Sequence, residues 1–119
     1  TILMNYVNAR DGKVTLAPIA EVDTEWCCPL EAFKATLAHE QKVTALINNL
    51  NAIAVEEKDY ATQNMLQWFI NEQVEEEETA RGYIDALDKI GDNGYGLYMF
   101  DKELAARTYN IPSPLAAKA

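Results

Sequence analysis

The chain has 119 residues, with 10 Lys and Arg against 19 Asp and Glu, and a net charge of −9 when its single histidine is neutral. This length suits one domain, and a hydrophobic content of 49% is too high for a disordered chain. The acidic balance argues against nucleic-acid or anionic-membrane binding, because both need basic clusters. No apolar run approaches the ~20 residues of a membrane-spanning helix. We therefore expect a cation-binding rather than a phosphate-binding protein.

The two cysteines are adjacent, at Cys27 and Cys28. Neighbouring residues are too close for relaxed disulfide geometry, so a secreted disulfide scaffold is excluded and a reducing cytoplasm fits best. We interpret the pair as ordinary loop thiols, because zinc pairs are usually spaced and the one histidine, His39, is distant.

The first element is a helix over residues 1–9, in which apolar side chains recur at helical spacing. Asp11 and Gly12 end it, with Gly12 as the expected C-terminal cap. A chain that opens within a helix is expected to be cut, and the helices missing before it would be cleaved, disordered or never present. Residues 10–28 contain Pro18 and predict an extended strap that crosses the length of a helix bundle.

A long helix is predicted over residues 30–57, with Pro29 in its first turn. Its apolar residues follow steps of three and four, apart from one gap that Glu40 fills in phase. A carboxylate therefore lies on the stripe that we expect to be buried. The apolar members of this stripe are Leu30, Phe33, Leu37, Val43, Ile47, Leu50 and Ala54.

A second long helix is predicted over residues 60–90, with Asp59 as its N-cap and Gly91 at its end. Here too the apolar stripe is interrupted by polar residues on the inward face. The apolar members are Met65, Phe69, Ala80, Tyr83, Leu87 and Ile90, and the polar ones are Glu72, Gln73 and Glu76. A shorter amphipathic helix over residues 95–107 and a loose tail over residues 108–119 complete the chain.

The turn between the long helices is centred near Lys58, with Glu40 18 residues before it and Glu76 18 residues after it. Both lie about 27 Å from the turn at 1.5 Å per residue. Helices joined by a short connection are antiparallel neighbours, so the two carboxylates should lie at one level of the interior. Glu72 and Glu75 share roughly this face with Glu76.

Two buried carboxylates cost several kcal/mol each unless something compensates their charge, and a metal ion does so directly. Oxygen ligands favour hard cations, and inward carboxylates at one level are how di-iron bundles are built.

Runs of glutamate are usually solvated helix faces, and we assign Glu77 and Glu78 to that class. For Glu75 the two interpretations are balanced. His39 lies one residue off the stripe and is interpreted as a polar helper or a surface residue.

Three motifs, in order, resemble bacterial-type non-haem ferritin. They are His39-Glu40-Gln41, then Asn71-Glu72-Gln73-Val74-Glu75-Glu76-Glu77, then Gly94-Tyr95-Gly96-Leu97-Tyr98 with Asp101-Lys102-Glu103-Leu104. The resemblance covers nearly the whole chain. It implies an all-α, ferritin-like four-helix bundle with a short C-terminal helix, in which residues 1–9 end the second helix and residues 10–28 are the crossover strap. The two long segments and the short one match the third, fourth and fifth helices.

The resemblance also implies site residues. Glu40 matches the third-helix iron ligand, and Gln73 matches the glutamine beside the ferroxidase centre. Glu76 matches a fourth-helix ligand that is shared with a third iron position, and Glu72 and Glu75 match the other carboxylates of that position. The catalytic set is therefore Glu40, Gln73 and Glu76, and the metal set is Glu40, Glu72, Glu75 and Glu76. The implied metal is non-haem iron, Fe(II) or Fe(III), and the implied assembly is a cytoplasmic cage of about 24 identical subunits.

The chain departs from the family by lacking most of the first helical pair. The first-helix glutamate and tyrosine and the second-helix Glu-x-x-His pair are not in this sequence, and His39 is not at the histidine position. We therefore expect residues 1–119 alone to bind iron weakly and oxidise it slowly. A competing hypothesis is a helical hairpin that self-associates into a bundle, with a structural or weakly metal-binding role. An acidic helical adaptor for a basic partner is a third possibility.

Overall fold

The computed structural model describes residues 1–108 and is all-α over that range, as predicted. It contains four helices: α1 (Ile2–Ala9), α2 (Pro29–Glu56), α3 (Tyr60–Ile90) and α4 (Gly94–Ala105). The chain divides into two compact units, one holding Thr1–Thr24 and the other holding Glu25–Arg107. The residues that carry chemistry lie in the second unit. Within residues 1–108 no helix is long and apolar enough to cross a membrane.

The end of α1 differs in detail from the expectation. Asp11, not Gly12, takes the left-handed backbone conformation, with a φ of 60°. Aspartate tolerates this region better than most residues, because its short polar side chain can hydrogen-bond locally. The Gly12 amide donates to the Val7 carbonyl at 2.9 Å, and a Cβ at Gly12 would meet Val7 Cγ1 at 2.8 Å. Close backbone approach, not left-handed geometry, explains the glycine.

The segment that follows α1 has no regular structure. Residues 13–26 form neither helix nor strand, and Leu16, Ile19 and Val22 are exposed within it. Three exposed aliphatic side chains in an extended segment are available for packing against another surface. The extended conformation agrees with the sequence pattern, and the crossing of a bundle stays a prediction.

The α2–α3 hairpin forms the body of the second unit. Pro29 occupies the first turn of α2, where its missing N–H costs nothing. The connection between α2 and α3 is centred on Lys58, whose φ is 54°. The Asp59 carboxylate then caps α3 by accepting from the Thr62 amide at 3.2 Å and from the Thr62 hydroxyl at 2.6 Å. A turn of this length makes the helices antiparallel neighbours.

The interior of this unit matches the predicted stripes except at two leucines. Leu66 is 1% exposed although it lies outside the predicted stripe, and Leu50 is 44% exposed although it lies within it. Helical phase locates a face only to within one residue on either side, so the packing partner decides which of two neighbouring positions is covered. The buried apolar side chains are Ala54, Met65, Leu66, Ala80, Leu87 and Phe100.

An aromatic cluster joins the three helices of the second unit. The Phe33 ring packs edge-on against Tyr83 at a centroid distance of 5.3 Å and against Phe100 at 6.2 Å. Tyr83 and Phe100 are 5.7 Å apart, also edge to face. This is the preferred geometry of aromatic pairs. The cluster attaches α4 to the hairpin. In the connection before α4, Gly91 ends α3 with a φ of 60°, and the Asn93 side chain caps α4 by accepting from the Gly96 amide.

Helix α4 begins at Gly94 and ends at Ala105, whereas the sequence predicted residues 95–107. Its inward residues are Leu97, Phe100 and Leu104, as the pattern indicated. Most of the expected loose tail, including Pro112 and Pro114, lies outside the described residues.

Candidate metal centre

The centre of the α2–α3 interface holds a buried amide facing a carboxylate. Gln73 is 8% exposed. Its Nε2 donates to the Glu40 carboxylate Oε2 at 3.2 Å and to the Glu40 carbonyl at 3.1 Å. Glu40 itself is half-buried. A buried amide is stable only when it is hydrogen-bonded, so each of these two side chains stabilises the position of the other.

Thr44 extends this contact one turn along α2. Its hydroxyl accepts from Gln73 Nε2 at 3.1 Å and lies 2.8 Å from Glu77 Oε2 and 2.9 Å from the Glu40 carbonyl. The four side chains therefore form one polar network across the helix interface, which we call the Gln73 network (Glu40, Thr44, Gln73 and Glu77). It places Glu40 beside Gln73, three residues before Glu76, which the counts from Lys58 put at the level of Glu40. That Glu40 and Glu76 lie at one level stays a prediction.

The glutamates of α3 have different environments. Glu72 and Glu76 are half-buried, as the stripe predicted, whereas Glu75 and Glu78 are exposed. The interpretation of Glu77 as a solvated residue is wrong. Its side chain is only 18% exposed, because it reaches across to Thr44 and pairs with Arg81 at 3.6 Å.

Within residues 1–108, no group of three or more histidine, cysteine or acidic side chains is arranged to hold a metal ion. The donor chemistry nevertheless suits iron, since the inward groups are carboxylates and hard cations prefer oxygen. Glu40 and Glu76, on facing helices, would supply part of a ligand set that further residues complete. His39 is exposed on α2. The metal roles of Glu40, Glu72, Glu75 and Glu76 stay predictions.

The two thiols lie apart from this network, at the start of α2. Both are exposed and reduced, and the Cys27 thiol donates to Cys28 Sγ at 3.4 Å. This hydrogen bond raises the pKa of Cys27 above its ordinary value, with smaller contributions from desolvation and from the negative charge of Glu31. A protonated thiol is a weak nucleophile and a weak metal ligand.

Sequence reasoning missed two members of the network, Thr44 and Glu77. The signal for Thr44 was present, because it lies four residues after Glu40 and therefore on the same face. Glu77 follows Thr44 by the same 33 residues that separate Gln73 from Glu40. Both are found only from their contacts across the interface, which the apolar stripe of a single helix does not reveal.

Comparison with known proteins assigns the family. The model of the ferritin-like domain matches residues 1–90. The chain belongs to the ferritin family. It is 45% identical to the bacterial non-heme ferritin of Staphylococcus haemolyticus and 41% identical to that of Staphylococcus aureus, in each case over 91% of this chain and 65% of the relative. This ferritin chain therefore spans about two thirds of the length of these curated relatives.

Solved ferritin structures share the fold. An open pore ferritin from the archaeon Archaeoglobus fulgidus superposes with a TM-score of 0.88 at 41% identity, over 90% of this chain and 66% of that one. A humanized archaeal ferritin gives a TM-score of 0.90 at 40% identity, over 92% of this chain and 67% of that one. These matches confirm the expected ferritin-like fold and the resemblance that the three sequence motifs indicated.

Proposed function

We propose that this ferritin oxidises Fe(II) with dioxygen or peroxide at a di-iron carboxylate centre and stores Fe(III) inside a cage of about 24 subunits in the cytoplasm. The observation that carries the proposal is the hydrogen bond from the buried Gln73 amide to the half-buried Glu40 carboxylate. A neutral donor holds an inward carboxylate in place without neutralising it. The remaining negative charge is then available to a cation.

The residues of this chain have distinct roles in the proposal. Glu40 and Glu76 would hold the second iron of the pair, and Glu72, Glu75 and Glu76 a third iron position. Gln73 orients Glu40. Iron is the substrate, and carboxylate oxygens stabilise its higher charge more than its lower one, which favours oxidation. The net charge of −9 would raise the local concentration of Fe(II) near the acidic surface.

Further ligands are needed at every iron position, since residues 1–108 hold no group of three or more side chains arranged to bind a metal ion by themselves. For the first iron, the family resemblance assigns them to a first-helix glutamate and a second-helix Glu-x-x-His pair. These would be supplied by helices of the ferritin bundle other than those of residues 1–119. A neutral imidazole and a bridging carboxylate would fix the first iron.

Glu40→Ala in the assembled protein tests the proposal. The fast absorbance change after mixing with Fe(II) and oxygen in a stopped-flow instrument should fall at least about tenfold, because one carboxylate of the second iron is removed. Glu78→Ala is the matched control, since Glu78 is an exposed glutamate of α3, and it should leave the rate unchanged. An unchanged rate in Glu40→Ala would refute the assignment of the iron site.

A second candidate is a helical hairpin that pairs with another copy into a bundle, in a structural or weakly metal-binding role. It is favoured by the exposed aliphatic side chains in the second half of α2, where Leu46 is 56% exposed and Val55 53% exposed, with Leu50 and Ile53 between them. Such a surface favours association. Light scattering and the oxidation assay on the assembled protein distinguish the two functions. A cage of about 24 subunits with fast oxidation supports the first function, and a two-chain bundle without fast oxidation supports the second one.

A further inference from the structure

We propose that Thr44 and Glu77 position the Glu40 carboxylate through Gln73, so that Thr44 is a positioning residue of the iron site. The inference rests on the proposed function, because the carboxylate that it orients is the proposed ligand of the second iron. It also gives Glu77 a role. Glu77 lies in the run Glu75–Glu78 and contacts Thr44 on α2, but it does not belong to the proposed ligand set.

The direction of the Thr44 proton decides how the network is arranged. A hydroxyl has one proton, and two acceptors lie near it: Glu77 Oε2 at 2.8 Å and the Glu40 carbonyl at 2.9 Å. An ionised carboxylate is the stronger acceptor, so the proton is directed mainly to Glu77. The lone pairs of the Thr44 oxygen then face Gln73 Nε2, which lies 3.1 Å away.

The orientation of the Gln73 amide follows from this arrangement. Three oxygen atoms surround its Nε2: Thr44 Oγ1, the Glu40 carbonyl and the Glu40 carboxylate. All three act as acceptors towards it, so only the NH₂ end of the amide fits there. A reversed amide would place its carbonyl oxygen against the Glu40 carboxylate and remove the donor that holds it. If Glu77 did not accept the Thr44 proton, that proton could turn towards Gln73 and stabilise the reversed amide.

Glu77 is itself held from the outer side of the interface. Arg81 lies one turn further along α3 and pairs with Glu77 Oε1 at 3.6 Å, while Oε2 accepts from Thr44. The Arg81 side chain is 54% exposed, so this ion pair is screened and contributes little stability. Its effect is to keep the carboxylate turned towards α2. The sequence of contacts therefore runs from Arg81 through Glu77, Thr44 and Gln73 to Glu40.

The experiment compares variants of the assembled protein by anaerobic Fe(II) titration calorimetry. Thr44→Val removes the hydroxyl while keeping the shape, and Thr44→Ser keeps the hydroxyl. Thr36→Val is the matched control, because the Thr36 hydroxyl also bonds to the carbonyl four residues earlier on α2 but is exposed and contacts no part of the network. Glu77→Leu is compared in the same way with Glu78→Leu, at the exposed neighbouring glutamate.

We expect Thr44→Val and Glu77→Leu each to weaken Fe(II) binding about fivefold, the factor for one hydrogen bond of ordinary net strength. The loss should be confined to one of the iron-binding events, whereas a general loss of structure would weaken all of them. Thr44→Ser should bind with the affinity of the unmodified protein, and both control variants should be unchanged. The unfolding midpoint of each variant, measured without metal, separates loss of fold from loss of orientation.

Other results of the titration would contradict part or all of the proposal. If Thr44→Val binds as tightly as Thr36→Val, the positioning role is refuted while the proposed function stands. If Thr44→Ser loses as much affinity as Thr44→Val, the methyl group is responsible and the hydroxyl mechanism is wrong. If Thr44→Val does not assemble, Glu77→Leu decides in its place. If the unmodified protein binds no Fe(II), the proposed function fails, and this inference fails with it.

Discussion

Replacing Gln73 by leucine removes the donor at the centre of the network while keeping a side chain of similar size. The bond to the Glu40 carboxylate is charge-assisted, and such bonds contribute about 1.5–3 kcal/mol. Thr44 Oγ1 keeps its bond to Glu77 Oε2 at 2.8 Å, and its hydroxyl stays 2.9 Å from the Glu40 carbonyl, so the polar groups around the leucine are not isolated. Glu40 is half-buried, and water can replace part of the lost bond. The leucine gains some hydrophobic burial. We therefore expect the free energy of unfolding to fall by about 1–2 kcal/mol.

Urea unfolding of the metal-free protein at one fixed subunit concentration measures this change, because association shifts apparent stability. Gln67→Leu is the control. Gln67 lies on the same helix, is exposed, and bonds only weakly to the Gln63 carbonyl at 3.4 Å. Its replacement should change stability by less than about 0.5 kcal/mol. Equal stabilities for the two variants would show that the Gln73 amide contributes nothing to holding the helices together.

Two further predictions concern residues outside the network. Leu66→Ala should lower the free energy of unfolding by about 2–5 kcal/mol in denaturant titration, because Leu66 is the largest fully buried side chain of the described chain; a loss below 1 kcal/mol would contradict its place in the core. Cys28→Ala removes the acceptor that raises the pKa of Cys27, so the pKa should fall, the thiolate fraction at pH 8 should rise, and iodoacetamide should alkylate Cys27 faster. A slower or unchanged rate would show that Cys28 does not hold the Cys27 proton.

Much of the fold could be predicted from local rules. Pro29, Asp59 and Gly91 mark helix ends through missing donors, capping oxygens and left-handed backbone, and the structure uses all three residues in these ways. The position of the turn at Lys58 could also be predicted, because a short polar segment separates two segments with helical periodicity. These features depend on residues close in the chain, which is why one sequence is enough to find them.

The polar face of the hairpin could be predicted only in part. Glu40 and Gln73 were identified because they interrupt apolar stripes. Counting residues away from the turn paired Glu40 with Glu76, whereas the bond across the interface joins Glu40 to Gln73. Thr44 was not identified, although it shares a helix face with Glu40, since a threonine is not apolar enough to mark a buried stripe. Its importance depends on a partner that lies 33 residues away in sequence.

The sequence by itself determined the class of fold, the helix ends and the carboxylates that face inward, because helical period and capping chemistry act over one or two turns. Only the tertiary structure decided between neighbouring positions. Leu66 is covered and Leu50 is not, and Glu77 bonds across the interface while Glu78 remains in solvent. Side chains of adjacent residues on a helix point about 100° apart, and a partner helix covers only part of the helix circumference. Which of two neighbouring residues is buried therefore depends on how the two helices pack against each other.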